Sequence, residues 1–404
     1  MNRTTTTLAA VAGPLLLASV LTACGTSGGS DTAGEPAAQG FTAPDVPMQE
    51  SLGQKEGEVG ILAWPGYAED GTNDKTVDWV TPFEKQTGCQ ANVKYFGTSD
   101  EALNLMKTGE YDVVSASGDA SLRLIASGDA APVNTDLLKS YADIQPFLKD
   151  RDWNSVNGQM YGIPQGWGAN LLMYRTDKVK PAPTGWDAVF EKDSPYAGKI
   201  TAYDSPIYIA DAALHLMNTQ PDLGIKNPYA LDQKQLDAAV AVLKDQRPQV
   251  SEYWSDYLKE QQAFTSGDTV LGTTWQFIAN LAQADKVPVE AVFPSDGSTG
   301  WSDTWMISAK SKHPNCAYAW MDYIASPKVN AQSAEWFGEA PANAKACDFT
   351  SDKSFCDTFH AADKAYSDQI WYWTTPIQQC LDGRKDVKCT DYGQWTQAWT
   401  EIKG

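Results

Sequence analysis

The sequence predicts an α/β protein with room for two domains, and three observations carry that expectation. Its 404 residues are 42% hydrophobic and 20% charged, which is the composition of a globular chain long enough for two ordinary domains. Short apolar runs alternate with segments of helical period, and Gly and Pro residues punctuate the changes. A β-α-β-α alternation of this kind predicts helices packed on largely parallel sheets.

The elements follow in order. Val59 to Ala63 is a short apolar run and reads as the first strand. Val77, Val80 and Phe83 then recur at helical spacing until Gly88 stops them. Cys89, Ala91, Val93 and Tyr95 alternate as a strand does, Glu101 to Lys107 reads as a helix ended by Gly109, and Tyr111 to Val114 is a further strand. Later strands are expected at Lys199 to Tyr203, Val270 to Thr274, Val289 to Phe293 and Thr304 to Ser308. Asp232 and Gln235 have capping-box spacing ahead of the helical face Leu236, Ala239, Val240 and Leu243. Pro314 and Pro327 each start a helix, the second stopping at Gly338. No internal repeat is visible.

The first residues read as an address rather than as structure. Arg3 precedes an apolar stretch from Leu8 to Leu21, broken by Pro14 and too short to span a bilayer. It ends in Leu21-Thr22-Ala23-Cys24, which resembles the bacterial lipobox, where the Cys becomes the lipidated first residue after cleavage. Residues 1–23 are thus expected to be a lipoprotein signal peptide and Cys24 the lipid anchor, with residues 24–55 a flexible tether rich in Gly, Ser, Ala, Pro and Thr. No later segment is apolar enough to be a membrane helix, so attachment to a membrane rests on the lipid of Cys24. Gly25-Thr26-Ser27-Gly28-Gly29 fits the G-x-S-x-G pattern of a hydrolase, but a tether supplies neither the strand before nor the helix after that the motif requires.

Charge and cysteines narrow the class further. A net charge of −20 repels a phosphate backbone, which excludes nucleic acid as a partner. Seven cysteines less Cys24 leave an even set, which in an exported chain implies disulfides. Cys347 with Cys356 and Cys380 with Cys389 are local pairs across turn-forming residues, leaving Cys89 with Cys316 as a long-range staple among the possible pairings. A metal site is disfavoured, because there is no C-x-x-C and His215, His313 and His360 are isolated from one another.

The placement of aromatic and acidic residues is more telling than their number. The 15 Trp and 17 Tyr outnumber the 12 Phe, an excess of rings with a polar handle that suits half-wet pockets. Trp64 and Tyr67 follow the first strand; Ser115, Ser117 and Asp119 follow Tyr111 to Val114; Asp204 follows Lys199 to Tyr203. Trp275 follows Val270 to Thr274, and Trp301-Ser302-Asp303 opens directly into Thr304 to Ser308. Ligands of open α/β sheets sit outside the carboxyl ends of the strands, so these residues are expected near one crevice. Taken singly, a Trp is more often core packing and an Asp after a strand more often a helix cap.

The order of Trp64-Pro-Gly-Tyr67, Tyr111-Asp112-Val-Val, Trp167-Gly168, Asp204, Trp275, Trp301-x-Asp303 and Trp371-Tyr372-Trp373 resembles the spermidine/putrescine family of ABC-transporter substrate-binding proteins. Gly97 to Glu101, Ser115 to Ile125, Tyr203 to Ala213 and Glu335 to Gly338 are similar to one subgroup of it, which also carries cysteines at the positions of Cys89 and Cys316. The resemblance implies a two-lobed type II periplasmic-binding-protein fold with a ligand cleft between the lobes. It places residues 56–165 with 304–345 in lobe 1 and residues 166–303 with 346–404 in lobe 2. The implied function is delivery of a polyamine-like cation to an ABC permease by a monomeric, exported lipoprotein on the outer face of the cytoplasmic membrane, with no enzymatic activity and no cofactor.

Binding positions carry over residue by residue. Trp64 and Tyr67 match an aromatic pair on the polyamine, Ser117 a binding serine, Asp204 an acidic contact, Trp275 an aromatic wall, and Trp301 with Asp303 the pair that holds an ammonium. Asp119 and Glu339 stand where the family has tyrosines, and Ile207 stands where it has a Glu. The charge of the pocket is thereby redistributed. The rival ligands are a zwitterionic ω-amino acid, which needs a cation such as Arg123 for its carboxylate, and a neutral sugar, which needs fewer carboxylates. A glycoside hydrolase would need a separable acid and base pair, which the sequence does not display.

Overall fold

The computed structural model describes residues 43–404. The expected signal peptide, Cys24 and the tether as far as residue 42 lie outside the described residues.

Seventeen strands among the described residues are numbered in chain order. The first group is β1 (Glu58–Ala63), β2 (Gln90–Tyr95), β3 (Val113–Ala116), β4 (Ala130–Ala131), the hairpin β5 (Ser155–Val156) and β6 (Gln159–Met160), and β7 (Gly162–Pro164). Then come β8 (Gly166–Ala169), β9 (Leu171–Arg175), β10 (Ile200–Tyr203), β11 (Val250–Trp254), β12 (Leu271–Thr274) and β13 (Val289–Val292). The last are β14 (Ser298–Trp301), β15 (Thr304–Ser308), β16 (Ala340–Pro341) and β17 (Ile370–Tyr372).

They form two lobes and a bridge. The sheet of lobe 1 runs β2-β1-β3-β15-β4, with β7 also on β15; the sheet of lobe 2 runs β11-β10-β12-β9-β13; a four-stranded bridge runs β16-β8-β14-β17. The inner strands β1, β3, β10 and β15 are buried almost throughout and read as near-continuous apolar runs, whereas the edge strand β2 alternates between half-buried and exposed positions. In lobe 1, Val59, Ile61 and Ile307 face one core while Leu62, Val114 and Met306 face the other. In lobe 2, Leu172, Ile200 and Leu271 face one core and Met173 the other.

The expected parallel pairing holds for β1 with β2 and β3, and for β10 with β11 and β12. The remaining pairs of the two main sheets are antiparallel, because β9 and β15 do not arrive by helical crossover. They enter their lobes straight from the bridge: only Asn170 separates β8 from β9, and only Ser302 and Asp303 separate β14 from β15. A strand that enters from the bridge begins at the edge where the crossover strands end. Asp303, at the start of β15, therefore meets the residues that follow β1 and β3.

Local signals act where the sequence puts them. Gly88 and Gly338 adopt the left-handed conformation that ends the helices Val80–Thr87 and Pro327–Phe337, and Asp232 with Gln235 forms a capping box on Gln233–Gln246. The C-terminal region packs on both cores in turn. Cys347, Cys356, Phe359 and Tyr366 pack against the lobe 1 core, and the chain passes over only at β17, so that Tyr392, Trp395, Trp399 and Ile402 of the last helix, Tyr392–Lys403, complete lobe 2. The Cys347–Cys356 bridge closes a short loop that packs on the lobe 1 core.

Disulfides join Cys89 to Cys316, Cys347 to Cys356 and Cys380 to Cys389. The first spans 227 residues and ties the start of β2 to the helix Pro314–Ile324. On a chain-entropy argument, replacing both Cys89 and Cys316 by Ser should cost about 5 kcal/mol and lower Tm by roughly 5–10 °C, measured by calorimetry. An unchanged Tm would show that this bridge constrains nothing the packing does not already hold.

Candidate functional site

The site is built at the edge of lobe 1 that faces the bridge. The chain leaves β1 at Trp64 and turns so that Tyr67 points inward, while β3 leads through Ser115 into Ser117, the N-cap of the helix Gly118–Ala126. The Trp64 backbone N–H donates to Ser115 Oγ at 3.0 Å, and its indole N–H donates to Ser117 Oγ at 3.2 Å. Ser117 Oγ then donates to Asp303 Oδ1 at 2.6 Å. The Tyr67 hydroxyl lies 2.8 Å from both Asp303 Oδ2 and Glu339 Oε2, and the Gln165 side-chain amide donates to Glu339 Oε1 at 3.2 Å. Tyr67, Ser117, Asp303 and Glu339 are all buried. The helix before Glu339 ends at Gly338, where a Cβ would fall 2.4 Å from the Cβ of Phe277. Glycine there lets a lobe 2 ring sit beside the carboxyls.

Lobe 2 and the bridge supply the aromatic side. Trp275 and Trp301 have ring centroids 6.0 Å apart, Trp301 and Phe337 5.9 Å, and Phe337 and Tyr67 4.4 Å. Gly168 makes room for Trp301, since a Cβ there would lie 2.9 Å from the indole. A depression at the lobe boundary is lined by Trp167, Gly168, Trp275, Trp301 and Glu339. Trp64 and Trp275 remain partly exposed, as walls of a ligand site should.

Trp275 is held by a polar chain. Its indole donates to Asn170 Oδ1 at 2.9 Å, Asn170 Nδ2 donates to Thr299 Oγ1 at 2.6 Å, and Thr299 Oγ1 donates to Asp211 Oδ1 at 2.8 Å. The wall is thereby anchored to a buried acid on the helix Ile209–Thr219.

Burial dominates the electrostatics. It pushes Asp303 up to about 6 despite the hydrogen bonds from Ser117 and Tyr67, and Asp211 up to about 7. Burial, with the nearby charge of Asp303, holds Glu339 well above the ordinary carboxylate range. Asp119 is raised by burial and pulled back by Arg123.

Of the residues expected from sequence, Trp64, Tyr67, Ser117, Asp303 and Glu339 share one hydrogen-bond network, and Trp275 and Trp301 share one aromatic wall. Asp119 sits to one side, accepting from Ser99 Oγ at 2.9 Å and from the Tyr392 hydroxyl at 3.2 Å where the last helix meets lobe 1. Asp204 departs from the expectation. Lys403 Nζ lies 2.7 Å from each of its oxygens and the Trp399 indole donates to it at 3.2 Å, so its charge is answered from within the chain. Ile207 is part of the lobe 2 core. Sequence reasoning missed Tyr203 and Trp373, which stack at 5.5 Å, together with Phe277, Phe337 and Gln165. The signals that could have found them are local: Trp373 lies in Trp371-Tyr372-Trp373, Tyr203 precedes Asp204, and Phe337 lies in Glu335-Trp-Phe-Gly338.

Comparison with known proteins agrees with this architecture. The family model described as bacterial extracellular solute-binding protein matches residues 78–358. The spermidine/putrescine-binding periplasmic protein of Escherichia coli strain K12 is 24% identical over 260 residues, 63% of this chain and 71% of that protein. The putrescine-binding periplasmic protein SpuD of Pseudomonas aeruginosa strain UCBPP-PA14 is 25% identical over 360 residues, 85% of this chain and 91% of that one. Among solved structures, the Tp0655 (TpPotD) lipoprotein of Treponema pallidum superposes with a TM-score of 0.68 at 16% identity, covering 86% of this chain and 99% of that chain. The fold is the two-lobed type II periplasmic-binding-protein fold.

The raised Asp211 carries a pH prediction. Its folded value of about 7 exceeds an unfolded value of about 4, so the stability it contributes is complete below pH ~4 and is lost as pH rises through ~7. Asp211→Asn should flatten the fall of Tm across that window by about 4 °C relative to wild type in calorimetric scans. Parallel curves for the two proteins would mean that Asp211 is ionised at neutral pH.

Proposed function

Because the chain belongs to the bacterial extracellular solute-binding protein family, we propose that it is the extracytoplasmic substrate-binding component of an ABC importer. Its ligand is a polyamine-like organic cation of the putrescine and spermidine class. The observation that carries this reading is a mismatch of charge. Among the described residues no Lys or Arg pairs with Asp303 or Glu339, although both are buried, whereas Asp204 has Lys403. Buried acids without a counter-ion are costly, and an ammonium group answers them.

The geometry suits an alkyl chain that carries such a group. The ammonium donates charge-assisted hydrogen bonds to Asp303, each worth roughly 1.5–3 kcal/mol. Its methylenes lie along Trp64, Trp275 and Trp301, whose faces also attract the cation at about 0.5–2 kcal/mol per contact. Ser117 and Tyr67 hold the carboxylate in place, and Asp119 adds negative potential at the far side. The carboxyls and Trp64 of lobe 1 and Trp275 of lobe 2 engage one ligand together only when the lobes close, so ligand binding favours closure, and the closed form is what the permease receives. The lipobox-like Leu21 to Cys24 would keep the protein tethered at the membrane surface.

A zwitterionic ω-amino acid is less well served. Arg123, the nearest candidate partner for its carboxylate, forms an ion pair with Asp100 at 2.8 Å and lies 4.6 Å over the Tyr392 ring.

Asp303→Asn should weaken binding of 1,4-diaminobutane by at least about tenfold, a loss of ~1.4 kcal/mol or more, read by isothermal titration. An unchanged affinity would remove Asp303 from the site. Binding of a neutral hexose with no response to diamines would replace the proposed ligand class.

A further inference from the structure

The Tyr67 hydroxyl faces two carboxyl oxygens, Asp303 Oδ2 and Glu339 Oε2, each at 2.8 Å. A phenol has one hydrogen, so it donates along one of these lines and accepts along the other. The accepting line must end on an oxygen that carries a proton, since two bare oxygens at this separation repel.

The surroundings decide which acid carries it. Asp303 Oδ1 receives a short bond from Ser117 at 2.6 Å, and Ser117 is itself approached by the Trp64 indole; with Tyr67 on Oδ2, Asp303 has a donor on each oxygen, the setting of an anion. Glu339 has one long bond of 3.2 Å from Gln165 on Oε1. Gln165 cannot be turned round, because its own oxygen accepts the Trp305 indole N–H at 2.8 Å and its amide nitrogen also donates to Ser333 Oγ. Oε1 of Glu339 must then accept, and a proton on this acid sits on Oε2, pointing at Tyr67. Around Glu339 the titratable or polar groups are Tyr67 from the turn after β1, Asp303 at the start of β15, Gln165 between β7 and β8 and Ser333 from the helix Pro327–Phe337. Asp119 acts through Asp303 from the helix Gly118–Ala126, and lobe 2 presents the neutral Phe277.

We infer that Glu339 is a neutral carboxylic acid in the ligand-free pocket, donating through Tyr67 to an ionised Asp303, and that it gives its proton to solvent when an ammonium group enters. Binding is then an exchange: the ligand's charge arrives, the O–H bond of Glu339 breaks, and the proton leaves for bulk water. Glu339 thus determines specificity, because the ligand's positive charge is accepted only at the cost of that proton. Burial and the charge of Asp303 both act in the direction of the neutral acid. Gly166 is part of the device, since a Cβ there would fall 2.2 Å from the Glu339 carboxyl carbon.

The ligand half of the inference rests on the polyamine reading, and the test separates the two. Infrared spectra of the ligand-free protein at pH 7 should contain a protonated-carboxyl C=O band that disappears in Glu339→Gln, whose amide keeps both hydrogen bonds. The band should shift in Tyr67→Phe, which removes the acid's acceptor and distinguishes Glu339 from the other buried acids that burial raises, among them Glu260, Asp211 and Asp119. Absence of a band assignable to Glu339 overturns the inference. Titration with 1,4-diaminobutane in two buffers of different ionisation enthalpy should show about one proton released by wild type and close to none by Glu339→Gln. Equal proton counts overturn the exchange. A diamine that fails to bind defeats the proposed ligand class, while the infrared result still decides the state of Glu339.

Discussion

The structure turns on a carboxylate that has been taken out of water and left without a basic partner. Asp303 is buried at the mouth of β15, held by Ser117 and Tyr67, and raised to about 6 by the loss of solvent. Its position follows from topology. A strand that enters lobe 1 directly from the bridge starts where β1 and β3 end, so Asp303, Trp64 and Ser117 converge although Ser117 and Asp303 are 186 residues apart in sequence. The lobes divide the site: lobe 1 carries the acids with Trp64, and lobe 2 with the bridge carries Trp275 and Trp301. Neither half makes a site for an alkylammonium ion alone, which links ligand recognition to closure without a separate switch.

The aromatic wall is positioned as firmly as the acids. Trp275 reaches the buried Asp211 through Asn170 and Thr299, and Trp301 lies in a slot that Gly168 keeps open. Such indirect support keeps rings in orientation while leaving their faces available. The cost appears as buried polar atoms. The indole nitrogens of Trp301 and Trp373 have no hydrogen-bond partner among the described residues, an arrangement tolerated near a site that a ligand completes.

Much of the fold was legible because local physics dictates it. Apolar runs buried on both faces marked β1, β3, β10, β12 and β15, and capping residues at Asp232, Pro314 and Gly338 marked helix ends. The antiparallel entry of β9 and β15 was not legible. Its cause lies in β8 and β14, four residues each, with glycines and tryptophans in place of an alternating pattern. The site was legible as a set of strand-end residues, yet their pairings were hidden. Nothing local to Asp204 indicates that Lys403, 199 residues later, neutralises it, and nothing local to Tyr67 indicates that one hydroxyl bridges two acids. The packing of the segment around Cys347 and Cys356 was hidden for the same reason: which core it joins depends on tertiary packing rather than on its own sequence.

The most direct test of the central claim, that an unpaired buried carboxylate selects an alkylammonium ligand, is a side-by-side isothermal titration with 1,4-diaminobutane, γ-aminobutyrate and a neutral hexose. Saturable binding of the diamine is expected, with weaker or absent binding of the amino acid and no heat from the sugar. Tight binding of the hexose with no response to the diamine would contradict it.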